Sequence, residues 1–117
     1  MAFLSAEEIN DAEDRNHVDV EVPEWRGTVR LMELTGDDAD RFSTFSVRNQ
    51  GDTTGIRAYL VGLCLVREDG KRMFTDDAIE RKLGKKSGAV LGRLFQEAAE
   101  LNGLSKAAQA KQDENFS

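Results

Sequence analysis

The chain is short of most residues that carry chemistry. One cysteine, Cys64, and one histidine, His17, are present. A lone Cys cannot close an internal disulfide, and its neighbours Leu63 and Leu65 predict a buried thiol in a reducing compartment. With one His and one Cys, a His/Cys zinc cage has too few ligands. The single proline, Pro23, leaves no Pro-rich linker to separate domains. The longest apolar run, Ala58 to Val66, is too short to span a bilayer, and Met1 to Asp14 is acidic rather than signal-peptide-like. Excess positive charge is missing as well. The net charge of -6 argues against a general phosphate-backbone binder, so neither nucleic acid nor membrane is expected as a partner. These absences predict a soluble, intracellular protein.

What is present suffices for a fold without metal or disulfide. The 117 residues correspond to one domain, able to bury about two thirds of its unfolded surface. Ser5-Ala6-Glu7-Glu8 is a capping box and predicts a short helix from Ala6 to about Asp14. His17 to Val22 alternates polar and apolar, and Thr28 to Leu34 is a second β-rich run. With Pro23 to Gly27 between them, a β-hairpin follows. Trp25 either folds back onto the core or stands out as an anchor. Thr35 or Asp37 caps a helix through about Val47, with a stripe of Ala39, Phe42 and Phe45 or Ser46; Arg48 to Thr54 is a polar loop.

Ile56 to Val66 is nearly all apolar, so periodicity cannot separate buried strand from buried helix. Its length, the Thr-Thr-Gly lead-in and the small Ala58 and Gly62 favour a central helix. Asp69-Gly70 is a turn, and Lys71 to Phe74 is extended. Thr75-Asp76-Asp77 opens a helix running through Ile79 and Leu83 to a stop at Gly84. Ser87 caps the last long helix, whose stripe is Leu91, Leu94, Phe95, Ala98 and Leu101, and Asn102-Gly103-Leu104 closes it with Leu104 packing back. The expected class is α+β: a mostly helical single domain with an N-terminal β-hairpin. An acidic helical segment (1–16) precedes a core (17–104), and a weakly ordered tail (105–117) follows.

No constellation for bond-making emerges, so no catalytic, metal or cofactor-binding residue is expected and the chain is not read as an enzyme. Gly84-Lys85-Lys86-Ser87 lacks the upstream glycine and the Lys-Ser order of a phosphate loop. His17, Asp19 and Glu21 share a strand face but find no fourth ligand. The acidic groups Asp11, Glu13, Asp14 and Asp37, Asp38, Asp40 have no apolar cleft to tune them. Lys71, Arg72, Arg81, Lys82, Lys85 and Lys86 form a basic run, read first as solvated helix faces and second as a docking surface. Met32 and Met73 are expected in the core. Gly84, Gly88 and Gly92, at spacing four, predict a face where another element or subunit packs closely. The candidate partner-binding residues are Trp25, Phe74, Gly88, Gly92 and Phe95.

Several stretches, in order, resemble the tail assembly chaperones of long, non-contractile-tailed phages and related prophages. They are Val20-Glu21-Val22-Pro23-Glu24-Trp25 with Gly27-Thr28-Val29-Arg30, then Leu65 to Thr75 (L-V-R-E-D-G-K-R-M-F-T), Leu83-Gly84-Lys85-Lys86-Ser87, Leu101-Asn102-Gly103-Leu104-Ser105 and Glu114-Asn115-Phe116. Arg67 departs from the pattern, where an acidic residue is more usual before Glu-Asp-Gly. The resemblance implies a non-enzymatic protein in the host bacterial cytoplasm, absent from the mature virion. It implies binding to the tape measure protein, recruitment of tail tube protein, room for self-association and no cofactor. The family often makes a longer, frameshifted product, with an extension joined after Ser105. The alternative role is a structural minor tail or head–tail connector protein of the virion.

Overall fold

The run from Ile56 resolves as helix followed at once by strand. In the computed structural model, which describes residues 2–48 and 54–104, α3 (Ile56–Cys64) buries Ala58 and the five residues Leu60 to Cys64. The next two residues, Leu65–Val66, form a strand, so the expected helix stops two residues early. That strand is the third of a sheet ordered β1 (His17–Val22), β2 (Gly27–Met32), β3 (Leu65–Val66), antiparallel throughout. Leu31 stands opposite Leu65, and Arg30 opposite Val66. No connection separates helix from strand, and Leu65 simply switches to an extended conformation. Apolar burial on every side erases the periodicity that would have marked the junction.

The hairpin is present, with Asp19 opposite Arg30 and Val22 opposite Gly27. Val18, Val20 and Val22 face inward, the first two half-buried and Val22 buried beside the turn. β2 begins and ends earlier than the expected Thr28–Leu34. The reason lies in a side chain, because the Leu34 N–H leaves the sheet to donate to Asn102 Oδ1 at 2.9 Å. A 3-10 turn (Pro23–Trp25) joins the strands, and Arg26 after it adopts φ 58°, a conformation uncommon outside glycine.

α1 (Ala6–Asp11) carries the expected capping box, with the Glu8 N–H donating to Ser5 Oγ and the Ser5 N–H to Glu8 Oε1, both at 3.1 Å. It ends short of Asp14, and none of its residues is buried. α2 (Gly36–Arg48) is capped by Thr35, whose Oγ1 accepts from the Asp38 N–H. Phe42 and Phe45 lean on Tyr59 of α3, with ring centroids 6.4 and 4.6 Å away. Ala39 is exposed, so the stripe is narrower than expected. Residues 49–53 of the expected polar loop lie outside the described residues, as does the tail from 105.

After β3, Gly70 takes φ 82° to turn the chain, and the Met73 N–H donates back to Leu65 O. α4 (Asp76–Arg81) is capped by Thr75 Oγ1, which accepts from the Ala78 N–H. It stops three residues before the expected Gly84. A 3-10 turn (Leu83–Lys85) takes over, and Gly84 sits inside that turn. Ile79 and Leu83 nonetheless both reach the core.

α5 (Gly88–Leu101) is capped by Ser87 and lies against α3. Leu91, Leu94 and Ala98 are buried as expected, joined by Val90 and Ala99; Phe95 and Leu101 are half-buried. Its end is a Schellman stop: Gly103 at φ 71°, its N–H donating to Glu100 O, and the Leu104 N–H to Ala99 O. Leu104 itself stays 37% exposed and does not pack back as expected. Asn102, the cap residue, also donates from Nδ2 to Ala98 O at 2.9 Å and to Cys64 Sγ at 3.5 Å. One side chain therefore ties together the ends of α5, β2 and α3. Cys64 is fully buried, and burial pushes its thiol up to about 11.

Gly62 is the glycine the packing requires. A Cβ built there would fall on the branched side chain of Ile79 in α4. Helix propensity favours Gly62→Ala by about 1 kcal/mol, but overpacking a full core costs about 1–3 kcal/mol, and both partners here are buried. A net loss of up to about 2 kcal/mol is expected, read as a lower urea midpoint at unchanged slope. Combined with Ile79→Ala, the loss should be clearly less than the sum of the two single losses.

Candidate partner-binding surface

The five candidate residues fall into two separate patches. Trp25 and Phe74 share one. It is an apolar hollow of about 170 Å³, floored by Leu65 and Leu83 and walled by Val29 and Met73, with Lys82 and Lys86 also lining it. Gly88 and Phe95 share the other, a groove of about 550 Å³ between α3 and α5 that also includes Ile56, Arg57 and Leu91. Gly92 lies beside this groove, where a Cβ would come 3.9 Å from Arg57 Nε.

Both readings of Trp25 hold in part. Its ring packs against the core cluster, yet it is only half-buried and lines the hollow. What fixes the turn that carries it is a fork-to-fork ion pair: Arg93 Nη1 and Nη2 of α5 donate to Glu24 Oε2 and Oε1 at 2.8 and 2.9 Å. Accepting both bonds holds the Glu24 carboxyl down to about 2. The pair joins residues 69 positions apart, so spacing in the chain gave no sign of it.

Met73 corrects an expectation: it is 45% exposed rather than core. Only Arg72 of the expected extended run pairs, as a single bridge to Val66, and the chain bends at Met73 and Phe74, so that Phe74 packs against the core and Met73 does not. Met32, on the sheet, is half-buried. The basic run divides. Arg72 pairs with Asp76 and Arg81 with Asp77, whereas Lys82 and Lys86 have no ion-pair partner among the described residues and stand at the hollow. Sequence reasoning named these lysines without seeing that an apolar hollow lay between them.

The glycine face does not form within the fold. Gly88 has no atom within 4 Å of a built Cβ, and Gly84 meets only ordinary contacts at 3.5 and 4.0 Å. Spacing of four presumes one continuous helix, and the 3-10 turn and Ser87 cap interrupt it. Gly88 and Gly92 instead leave room along α5.

On β1, Asp19 is committed to Arg30, which donates from Nε and Nη2 at 2.8 and 3.1 Å across the hairpin. That bond holds the Asp19 carboxyl below its ordinary value. Among the described residues no group of three His, Cys, Asp or Glu side chains stands where it could hold a metal ion. No helix among them is long and apolar enough to cross a membrane.

A solved structure is similar to this one: the tail assembly chaperone of bacteriophage HK97, with 26% sequence identity and a TM-score of 0.60. The match covers 74% of this chain and 85% of that one. No protein-family model matches the chain, and no curated protein does. The resemblance read from the ordered motifs therefore holds in three dimensions: the fold resembles that of a phage tail assembly chaperone.

The Glu24–Arg93 pair can be tested by titration. Because the Glu24 carboxyl is depressed in the folded chain, the stability it contributes is present above the ordinary carboxylate value and is lost as pH falls through about 2. NMR titration of the wild type should place the Glu24 midpoint near 2, and Arg93→Ala should raise it toward the ordinary range with the fold retained.

Proposed function

We propose that this chain acts as a phage tail assembly chaperone, binding the tape measure protein without covalent chemistry. It keeps that partner soluble and helps bring tail tube subunits to it. It does so in the host bacterial cytoplasm and is left out of the finished virion. The observation that carries the reading is the likeness to the HK97 tail assembly chaperone, reached independently from the ordered motifs and from the fold.

The groove between α3 and α5 suits the task. An apolar stripe on a helix is recognised by a groove that covers it with aliphatic and aromatic side chains. Ile56, Leu91 and Phe95 supply such a floor. Gly88 and Gly92 carry no side chains, so a helix backbone can come close. The formal charge of -6 favours solubility when many copies coat one long partner. The hollow at Trp25 and Phe74 serves a second protein contact.

Co-expression with the tape measure protein should keep that protein soluble and bring both down together. A Cβ at Gly88 meets no atom within 4 Å, so the side chain of Gly88→Leu has room to enter the groove. It should leave the melting temperature unchanged and weaken co-purification by about tenfold or more, as loss of a central contact does. An insoluble tape measure protein with wild-type chain present would sink the proposal. Mass spectrometry of purified virions should find no copy of this chain; its presence would favour the minor tail or connector role.

A further inference from the structure

Of the five asparagines in the chain, Asn102 alone precedes a glycine. The fold requires both residues. Gly103 ends α5 at φ 71°, the left-handed conformation in which a Schellman stop takes glycine. Asn102 joins three elements through its amide. Its Oδ1 accepts from the Leu34 N–H just past β2, and its Nδ2 donates to Ala98 O in α5 and to Cys64 Sγ at the end of α3. Side by side, the two residues are also chemically exposed to each other. Glycine has no side chain to shield its own nitrogen, which can attack the carbonyl carbon of the preceding side-chain amide.

The folded geometry holds that reaction off. Ring closure needs the Gly103 nitrogen on the Cβ side of Asn102. At ψ 7° it is turned instead to the side of the Asn102 main-chain nitrogen, away from the amide carbon. The Gly103 N–H is committed to Glu100 O at 3.1 Å, and the Leu104 N–H that follows donates to Ala99 O at 2.6 Å. The amide itself is held by its bonds to Leu34, Ala98 and Cys64. The end of α5 must therefore open before the two groups can meet. The product does not fit back. A carboxylate at residue 102 has no donor for Ala98 O and turns an oxygen toward that carbonyl. It also sets a negative charge at the C-terminus of α5, where the helix dipole opposes it.

We infer that Asn102–Gly103 is a deamidation site that folding keeps closed, and that its product cannot remake the junction of α3, α5 and β2. When the end of α5 opens, the Gly103 nitrogen attacks Asn102 Cγ. A Cγ–N bond forms and the Cγ–Nδ2 bond breaks. Nδ2 leaves as ammonia, taking the proton of the Gly103 amide. Water then opens the cyclic imide at either carbonyl, leaving aspartate or isoaspartate. The isoaspartyl form carries the main chain through the side-chain carbon, one atom longer at the place where the cap bonds form. A chain that stays open is thus removed from the folded population without return. The reaction needs no partner protein, so it is independent of the chaperone role.

The full chain is held at mildly alkaline pH in native buffer and, in parallel, in enough urea to unfold it, and residue 102 is followed by peptide mass spectrometry. Conversion of Asn102 should be about tenfold or more faster in urea, because the folded chain reacts only through its open fraction. In urea, Asn10, Asn16, Asn49 and Asn115, none followed by glycine, should convert more slowly. Samples diluted out of urea at intervals should regain less of the native emission of the single tryptophan as residue 102 converts. Asn102→Asp, the product made directly, should unfold at a lower urea midpoint than the wild type. Equal rates in buffer and urea, or an Asn102 that outlasts the other asparagines in urea, would overturn the proposal. So would chains converted at residue 102 that refold to the wild-type midpoint.

Discussion

Everything else in the structure is arranged around keeping water from α3. The helix has nine residues and touches α5, α4, α2, β2 and the 3-10 turn before α5. Burying each of its Leu and Val side chains is worth about 1.5–3 kcal/mol, a large share of what a domain of this size retains. A helix enclosed so fully needs one face where a neighbour can come very close. Gly62 supplies it, and Ile79 fills the space. The strand that follows without a loop then fixes where the sheet lies. The polar ends are tied by a single amide: Asn102 bonds to Leu34 N–H, to Ala98 O and to the buried Cys64 thiol. An unsatisfied buried N–H costs about 1–3 kcal/mol, so this amide limits how far the ends of α3, α5 and β2 can separate.

That central demand decides which surfaces remain. α5 spends Val90, Leu91, Leu94 and Ala98 on the core, which leaves Gly88, Gly92 and part of Phe95 facing outward. α4 spends Ile79, and its turn spends Leu83, so the intervening Lys82 and the later Lys86 point away from the core. The Glu24–Arg93 pair holds the Trp25 turn against α5 and so keeps the hollow open between hairpin and helices. This exposed pair contributes to position more than to stability, since surface ion pairs are weak on average.

What could be read from the chain was what is decided locally. Ser5 with Glu8, Thr75, Ser87 and Asn102-Gly103 mark helix ends because a cap is a contact between residues three to five apart. The hairpin was legible from the alternation of Val18, Val20 and Val22. The junction at Leu65 was not, because a segment buried on all sides has no polar face to reveal its period. The glycine spacing misled for a related reason. Gly84, Gly88 and Gly92 would share a close-packing face only on one continuous helix, and the chain breaks between them. Gly62, the glycine that admits a neighbour, could be named as small, but its partner Ile79 is a tertiary fact. Of the two patches, Trp25 with Phe74 and Gly88 with Phe95 were named individually; that they form a lysine-edged hollow and a groove follows only from the fold. The ordered motifs carried the family likeness further than any single residue, since turns and caps in a fixed sequence specify a topology.

Features that a fold does not need are informative in a chain this small. A capping box on a helix that buries nothing stabilises no core. Gly88 opens α5 and leaves its surface bare without admitting a neighbour from its own chain. Met73 and Phe3 expose apolar surface that a lone soluble molecule would do better to hide. Local rules are broken or spent without return within the monomer at these places, and in a sequence otherwise consistent from caps to core such places mark function. All of them are surfaces open to contact from outside the monomer. None assembles a nucleophile, a base and a binding pocket together. The molecule is a set of apolar and charged faces held in place by one largely buried helix, a form that suits the proposed chaperone role.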